Sequence, residues 1–188
     1  MKKNIIAVMV AAAAVLSAQA FAAGNTAQIV IHGNVTDTDN SCNITPFGSI
    51  TGGTVVLDDI KVSALEALAL NTPAMASAKD ITYKITDCKS AGTEVAAGTN
   101  LNVNVTGDYI SGTPDILSNQ AANPAKNAGL ALINSDSSRV KFDGSAPKTV
   151  SYVKTAPTLL SYKAAYVKTA AGVEAGAVKG VATFTITY

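Results

Sequence analysis

The 188-residue sequence predicts an all-β fold, a sandwich or barrel with Greek-key connections. The first observation is that apolar and polar residues alternate in many short segments. The clearest segment is at the C-terminus, where Ala182, Phe184, Ile186 and Tyr188 fall on one face of an extended strand and threonines on the other. The second observation is that Gly, Asn and Pro turn signals separate these segments. Neither an internal repeat nor a linker is visible, which predicts one domain over residues 23–188.

Individual elements follow from the same patterns. A short helical turn is predicted at 62–69, ended by Pro73, and a surface loop at 107–127. Nine segments alternate or are rich in β-branched residues and are predicted strands: 27–36, 54–57, 80–87, 100–106, 128–133, 139–142, 149–154, 159–168 and 181–188.

The N-terminus has the pattern of a secretion signal. Lys2 and Lys3 precede a short apolar run and then small residues, which predicts a signal peptide over residues 1–22, with cleavage after Ala22 or alternatively after Ala20. No later segment approaches the ~18 apolar residues of a membrane helix, so no membrane insertion is expected. Without the signal peptide the chain has 12 basic and 13 acidic residues, and Arg139 is its only arginine. This balance disfavours nucleic-acid binding, which needs a concentrated basic face.

The two cysteines, Cys42 and Cys88, both follow the predicted signal peptide. In an oxidising compartment an isolated pair predicts one disulfide. The bond would close a loop of 46 residues, worth on the order of 4 kcal/mol by the chain-entropy relation. Free thiols or half of a metal site are disfavoured because no histidine or second cysteine pair stands nearby.

Signals for catalysis are missing from the sequence. His32 is the only histidine, and it lies in a predicted strand on the face opposite Ile29 and Ile31. A nucleophilic triad would require a carboxylate to orient this histidine toward a nucleophile. There is also no phosphate-binding loop, so we expect a protein that is not an enzyme and that has neither a cofactor nor a metal.

Four stretches, taken in order, resemble a known family. They are Ile29-Val-Ile-His-Gly-Asn-Val35 leading to Cys42, Thr54-Val-Val-Leu57, Ile81-Thr-Tyr-Lys-Ile-Thr-Asp-Cys88 and Ala182-Thr-Phe-Thr-Ile-Thr-Tyr188. Their order and the signal peptide resemble the chaperone–usher pilins, specifically the single-domain major fimbrial subunits of Gram-negative bacteria. The likeness spans the mature chain, although residues 89–175 contribute only β-like texture. These subunits usually carry the tyrosine one residue before the end, whereas Tyr188 is last.

The resemblance implies an immunoglobulin-like Greek-key sandwich that lacks its last strand and is completed by a donor strand from a neighbouring subunit. A periplasmic chaperone first lends a strand, and an outer-membrane usher then exchanges it for the N-terminal extension of the next subunit. Because each joint is head-to-tail, identical subunits form a filament, with or without a tip adhesin. The implied location is a fimbrium, reached by export through the periplasm, and the implied role is to support adhesion to host cells.

The resemblance also assigns residues. The donor segment is 23–31, with Ala27, Ile29 and Ile31 on one parity, while Phe184, Ile186 and Tyr188 are the contacts for the chaperone or donor strand. Three other interpretations stay open: a minor or tip-adapter subunit, a secreted self-complete β-sandwich that binds a receptor or sugar, and an enzyme with a polar pocket. In the self-complete sandwich both terminal strands would be ordinary core strands, and the protein would remain a monomer.

Overall fold

The computed structural model describes residues 27–33, 40–48 and 53–188. The predicted signal peptide and residues 23–26 of the predicted donor segment lie outside these ranges. The elements in chain order are β1 (Ala27–Gly33), β2 (Asn40–Phe47), β3 (Thr54–Leu57), α1 (Val62–Glu66), a 3-10 turn (Met75–Ser77), β4 (Lys79–Ser90), β5 (Thr93–Glu94), β6 (Asn100–Gly107), β7 (Tyr109–Ile110), β8 (Thr113–Leu117), β9 (Ala128–Asn134), β10 (Lys148–Ser151), β11 (Thr158–Lys168) and β12 (Val178–Thr187). Within these ranges the structure contains no helix of the length and apolarity that crossing a membrane requires.

The strands form two sheets, which confirms the predicted β-sandwich. The first sheet has the order β10-β6-β12-β1-β3, and the second has the order β2-β4-β11-β9-β8-β7 with β5 beside β4. Strand β1 runs parallel to β12. Every other pair of these strands in the described part of the chain is antiparallel.

The main core lies between the two sheets and follows the alternation seen in the sequence. The inward rows Leu101/Val103/Val105 of β6 and Ile81/Tyr83/Ile85 of β4 are buried. Phe184 of β12 contacts two tyrosines of the opposite sheet, with ring centroids 5.5 Å from Tyr83 and 5.4 Å from Tyr162. Burial of these apolar rows is the main favourable term in folding such a domain.

A second, smaller apolar cluster occupies the outer face of the second sheet. Its buried members are Ile116, Ala131, Ile133, Ala165 and Val167. Arg139 ties the nearby segments together, since its guanidinium lies 2.5 Å from Asp115 of β8 and donates to the carbonyl oxygen of Asn71 at 2.7 Å. The only arginine of the chain therefore has a structural position.

Two sequence predictions are wrong in this region. The predicted loop 107–127 contains β7 and β8, and Ile116 and Leu117 of β8 are completely buried. The predicted strand 139–142 is not a strand in the structure: Arg139 forms an isolated bridge with Ile133, and a second isolated bridge joins Asp143, the residue after the segment, to Thr106. Val140 and Phe142 are nevertheless buried, and the Phe142 amide donates to the carbonyl oxygen of Pro114 at 2.7 Å.

Strand β2 was not among the predicted strands. It lies at the edge of the second sheet, where its only strand partner in the described part of the chain is β4. Burial alternates over residues 41–45, where Cys42 and Ile44 are half-buried, but the alternation ends at Thr45, Pro46 and Phe47, which are all exposed. Pro46 is tolerated because an edge strand leaves amide positions that need no partner.

Candidate strand-acceptor groove

The candidate functional site is the gap in the first sheet between β12 and β3, here called the acceptor groove. In this single chain β1 fills it, parallel to β12 on one side and antiparallel to β3 on the other. The backbone register pairs the three predicted donor residues with β12 as follows: Ala27 with Val178, Ile29 with Gly180 and Ile31 with Ala182. The described part of the predicted donor segment therefore lies in the groove of its own chain.

Strand β3 depends on whatever occupies the groove. Among the described strands, its only pairing partner is β1. Val55 and Leu57 of β3 point inward and are 4% and 2% exposed. An empty groove would leave an unpaired backbone edge on β12 and uncover this apolar row, both of which favour aggregation.

Strand β12 forms one side of the acceptor groove, and the side chains of its inward row differ in size along the strand. Its inward row is Val178, Gly180, Ala182, Phe184 and Ile186, all buried. A side chain at Gly180 would meet the second sheet, because a Cβ built there lies 3.1 Å from the Cδ1 atoms of Leu117 and Leu130. Paired residues lie on the same face of a sheet. The register therefore places the isoleucine positions of β1 beside the smallest residues of the wall.

The residues predicted to contact the chaperone or donor strand divide into two groups. Phe184 and Ile186 are each 2% exposed and belong to the inward row of β12. Tyr188 instead reaches across to the second sheet, where its hydroxyl lies 3.2 Å from the Ser41 carbonyl oxygen and 2.5 Å from that of Lys89. The role of all three residues in capturing a partner's strand stays a prediction.

The disulfide between Cys42 and Cys88 is present, as the sequence predicted. It joins β2 to β4, and the register of this pair shifts between Ser41 and Asn43. The Cys88 amide donates to the hydroxyl oxygen of Tyr152 at 3.2 Å. Since Tyr188 bonds to the residues beside both cysteines, the disulfide and the C-terminus of β12 stabilise the same end of the sandwich.

An apolar cleft lies at the other end of the acceptor groove, where β12 begins. Its lining includes Ile60, Val62, Leu65, Val173, Gly176 and Val178. One wall belongs to α1 and the other to the turn at 171–173 and the residues after it. The cleft is therefore adjacent to the position where β1 enters the sheet opposite Val178.

Glu66 joins the two walls of this cleft. Its carboxylate accepts hydrogen bonds from the Val173 amide at 2.9 Å and the Gly172 amide at 3.4 Å. The bond from the Val173 amide is the main reason that the pKa of Glu66 is lowered, with smaller contributions from Gly172 and Lys168. Lys168 donates to the backbone carbonyl oxygen of Glu66 at 2.6 Å. Sequence reasoning missed this residue because nothing local links α1 to a turn about a hundred positions away.

Among the described residues, no group of three or more histidine, cysteine, aspartate or glutamate side chains is placed to hold a metal ion. His32 lies within β1, in register with Thr183. The features gathered around the groove are backbone edges and apolar rows, which suit the binding of a β-strand.

Comparison with known proteins shows that the chain is similar to pilus subunits in sequence profile and in fold. A sequence profile described as fimbrial protein matches residues 29–188. The P pilus rod subunit PapA is 23% identical, with 78% of this chain and 98% of that chain covered and a TM-score of 0.55. A subunit from a chaperone-usher pilus structure that addresses rod uncoiling is 24% identical over 82% of this chain and 91% of that chain, with a TM-score of 0.56.

The CupB6 tip adhesin of Pseudomonas aeruginosa is 18% identical over 62% of this chain, with a TM-score of 0.43, and the match spans 35% of that adhesin. No curated protein sequence matches the chain. At these identities the solved structures show the fold alone, which is the immunoglobulin-like sandwich of pilus subunits.

The fold thus defines an immunoglobulin-like sandwich in which one strand, β1, lies between β12 and β3. The profile match covers most of the sequence, and the chain belongs to the fimbrial protein family. It is a fimbrial subunit, exported to the cell surface as an extracellular pilus component. This family consists of structural subunits and is not known for enzymatic activity.

Proposed function

We propose that this subunit polymerises by donor-strand exchange. In this mechanism residues 23–31 of one subunit, with Ala27, Ile29 and Ile31 on the inward parity, fill the acceptor groove of the next. The observation that carries the proposal is the position of β1 between β12 and β3, where an added strand completes both backbone edges at once. Strand addition of this kind obtains affinity from backbone hydrogen bonds and selectivity from alternate side chains.

The remaining partners follow from the family. Before polymerisation, a periplasmic chaperone protects the groove beside Phe184, Ile186 and Tyr188, and an outer-membrane usher exchanges its strand for the next subunit's segment. The resulting head-to-tail filament of identical subunits, alone or below a tip adhesin, supports adhesion to host cells. Support for these steps is the family membership together with the buried apolar row of β12, which an unfilled groove would expose.

The test is electrophoresis in SDS of protein sheared from the cell surface, heated and unheated side by side. Donor-strand-linked subunits resist SDS and give an unheated ladder of multimers that collapses to one band on boiling. Ile29→Asp should remove the ladder because it places a charge on the parity of Val55 and Gly180. Gln28→Asp is the matched control, since Gln28 has the opposite parity and pairs with the exposed Val56. Equal ladders from both variants would contradict the donor assignment.

A second candidate is a self-complete receptor- or sugar-binding module that acts as a monomer. The observation in its favour is that β1 already fills the groove of its own chain. A single monomer band in both the heated and the unheated lane would support this function.

A further inference from the structure

We propose that Asn119 is a positioning residue for the acceptor groove, because its side-chain amide takes the place of a strand beside the start of β12. The inference rests on the proposed function, since it concerns the groove that a donor strand would enter. Asn119 belongs to the connection between β8 and β9, residues 118–127. In this proposal one side chain of that connection sets how much of β12 a donor strand can use.

The start of β12 lies beyond the end of β6. The pairing of β6 with β12 begins at Ala182, opposite Gly107, which is the last residue of β6. The strand that lies in the groove pairs with β12 from Val178 to Phe184. Over residues 178–181, four of these seven paired residues, the edge of β12 away from the groove is therefore not paired with β6.

The Asn119 side chain occupies part of this edge. Its amide nitrogen donates to the Ala177 carbonyl oxygen at 2.9 Å, and its amide oxygen accepts from the Lys179 amide at 3.0 Å. One residue of a parallel strand opposite Val178 would make the same two bonds. The Gln120 amide adds a third bond, to the Lys179 carbonyl oxygen at 2.7 Å. The Asn119 amide therefore acts as one peptide unit of the sheet.

Asn119 is itself held firmly in place. Its amide nitrogen also donates to the Ala125 carbonyl oxygen at 3.1 Å, and its amide oxygen also accepts from the Ala121 amide at 3.1 Å. Both donors and both lone pairs of the amide group are thus used. Asn119 is half-buried and lies two residues after Leu117, which is completely buried in the main core. A side chain restrained in this way can hold the start of β12 in one position.

The bonds to Asn119 leave the groove side of β12 available for a donor. Neighbouring residues of a strand direct their N–H and C=O groups to opposite edges of the strand. Since these groups of Ala177 and Lys179 face the connection, those of Val178 and Gly180 face the groove. Without the Asn119 amide the start of β12 is held less firmly, and a donor keeps a firm partner only where β6 supports β12.

Hydrogen exchange in the purified, full-length mature subunit tests whether Asn119 holds the start of β12. Asn119→Ala should make exchange at the Val178 and Gly180 amides at least about fivefold faster, the factor that one lost hydrogen bond gives. Neither of these amides bonds to Asn119, so a faster rate reports the position of the strand. The Thr185 amide lies where β6 supports β12 and should exchange as in the wild type.

The heat resistance of assembled subunits tests the consequence for the groove. SDS-resistant multimers sheared from cells are incubated at stepped temperatures, and the Asn119→Ala ladder should collapse at a lower temperature than the wild-type ladder. Asn123→Ala is the matched control in the same connection and should behave as the wild type, because Asn123 is exposed and bonds to the Ala177 amide through its backbone carbonyl oxygen. Ile133→Val lowers general stability from the outer cluster, and its ladder should shift less than that of Asn119→Ala.

Wild-type exchange rates at Val178 and Gly180 in Asn119→Ala would overturn the role of Asn119. An Asn119→Ala ladder as heat-resistant as the wild-type ladder, or an equal shift in Ile133→Val, would overturn it as well. If the wild type gives no ladder, donor-strand exchange itself fails, and the exchange rates at these two amides alone decide whether Asn119 positions the start of β12.

Discussion

At the scale of single residues, the tyrosines of the main core differ in whether their hydroxyl groups form hydrogen bonds. The hydroxyl oxygens of Tyr83 and Tyr162 are buried and have no hydrogen-bond partner among the residues that the structure describes. The hydroxyl of Tyr166 donates to the carbonyl oxygen of Asp58 at 3.1 Å. A buried polar group without a partner costs desolvation energy, whereas a paired group stabilises the fold modestly.

Tyr162→Phe should therefore leave the free energy of unfolding unchanged or raise it, because the ring contact with Phe184 is kept and only the unpaired hydroxyl is lost. Tyr166→Phe is the matched comparison and should lower the free energy of unfolding by about 1 kcal/mol, the worth of an ordinary hydrogen bond. Urea unfolding of the two variants measures the difference. A larger loss in Tyr162→Phe than in Tyr166→Phe would contradict the hydrogen-bond assignment.

The same tyrosines predict a loss of stability at alkaline pH. Burial raises the pKa of Tyr83 to about 12, and it also raises the pKa values of Tyr162 and Tyr166. In the unfolded chain a tyrosine titrates near pH 10, so above this pH the unfolded state binds fewer protons than the folded state. The stabilisation is therefore complete below pH 10 and is lost as the pH rises from 10 toward 12.

Urea midpoints measured between pH 8 and 11.5 check this, and Tyr83→Phe should give a shallower decline than the wild type. Tyr109→Phe, at an exposed tyrosine, is the control and should follow the wild-type curve. A decline in Tyr83→Phe as steep as in the wild type would show that other groups dominate.

At the scale of elements, the alternation of apolar and polar residues predicted strands that have one buried face and one more exposed face. Strands β4, β6 and β12 have this environment, and their burial alternates along the chain. Strand β8 does not, because Ile116 belongs to the outer cluster and Leu117 to the main core. Where both faces of a strand are buried, the period-two pattern disappears and only length and turn signals remain.

The acceptor groove was partly predictable for a related reason. The alternation of β12 and the resemblance of both termini to the family predicted a donor strand and an acceptor strand, and the structure places these two strands side by side. Which molecule supplies the donor depends on pairings between residues about 150 positions apart, such as Ile29 with Gly180, and on the length of the connection to β2. Local patterns carry no information about either.

Glu66 gives a prediction for the elements that surround the apolar cleft. Glu66→Ala removes the acceptor of the Val173 and Gly172 amides, so the turn at 171–173 should separate more readily from α1. Amide hydrogen exchange at Val173 should become faster as a result. Glu174→Ala is the control on the same loop, because it breaks only the exposed pair with Lys126, and such pairs contribute ~0–1 kcal/mol. Unchanged exchange at Val173 in Glu66→Ala would show that Glu66 does not hold the turn at 171–173 to α1.

At the scale of the whole molecule, the domain should depend on an occupied groove for its stability. A chain that lacks residues 23–33 loses β1, so β3 has no described strand partner and the edge of β12 that faces β3 is left unpaired. We expect this variant to aggregate or to unfold at a lower temperature than the complete chain.

A synthetic peptide of residues 23–33 should restore the melting temperature in a concentration-dependent way, since a ligand that binds only the folded state stabilises it by mass action. A peptide carrying Ile29→Asp and Ile31→Asp should fail to do so, because both substitutions place charges on the inward parity of the strand. Equal melting temperatures for the truncated and complete chains would mean that the sandwich is complete without β1, and the groove would then have no role in assembly.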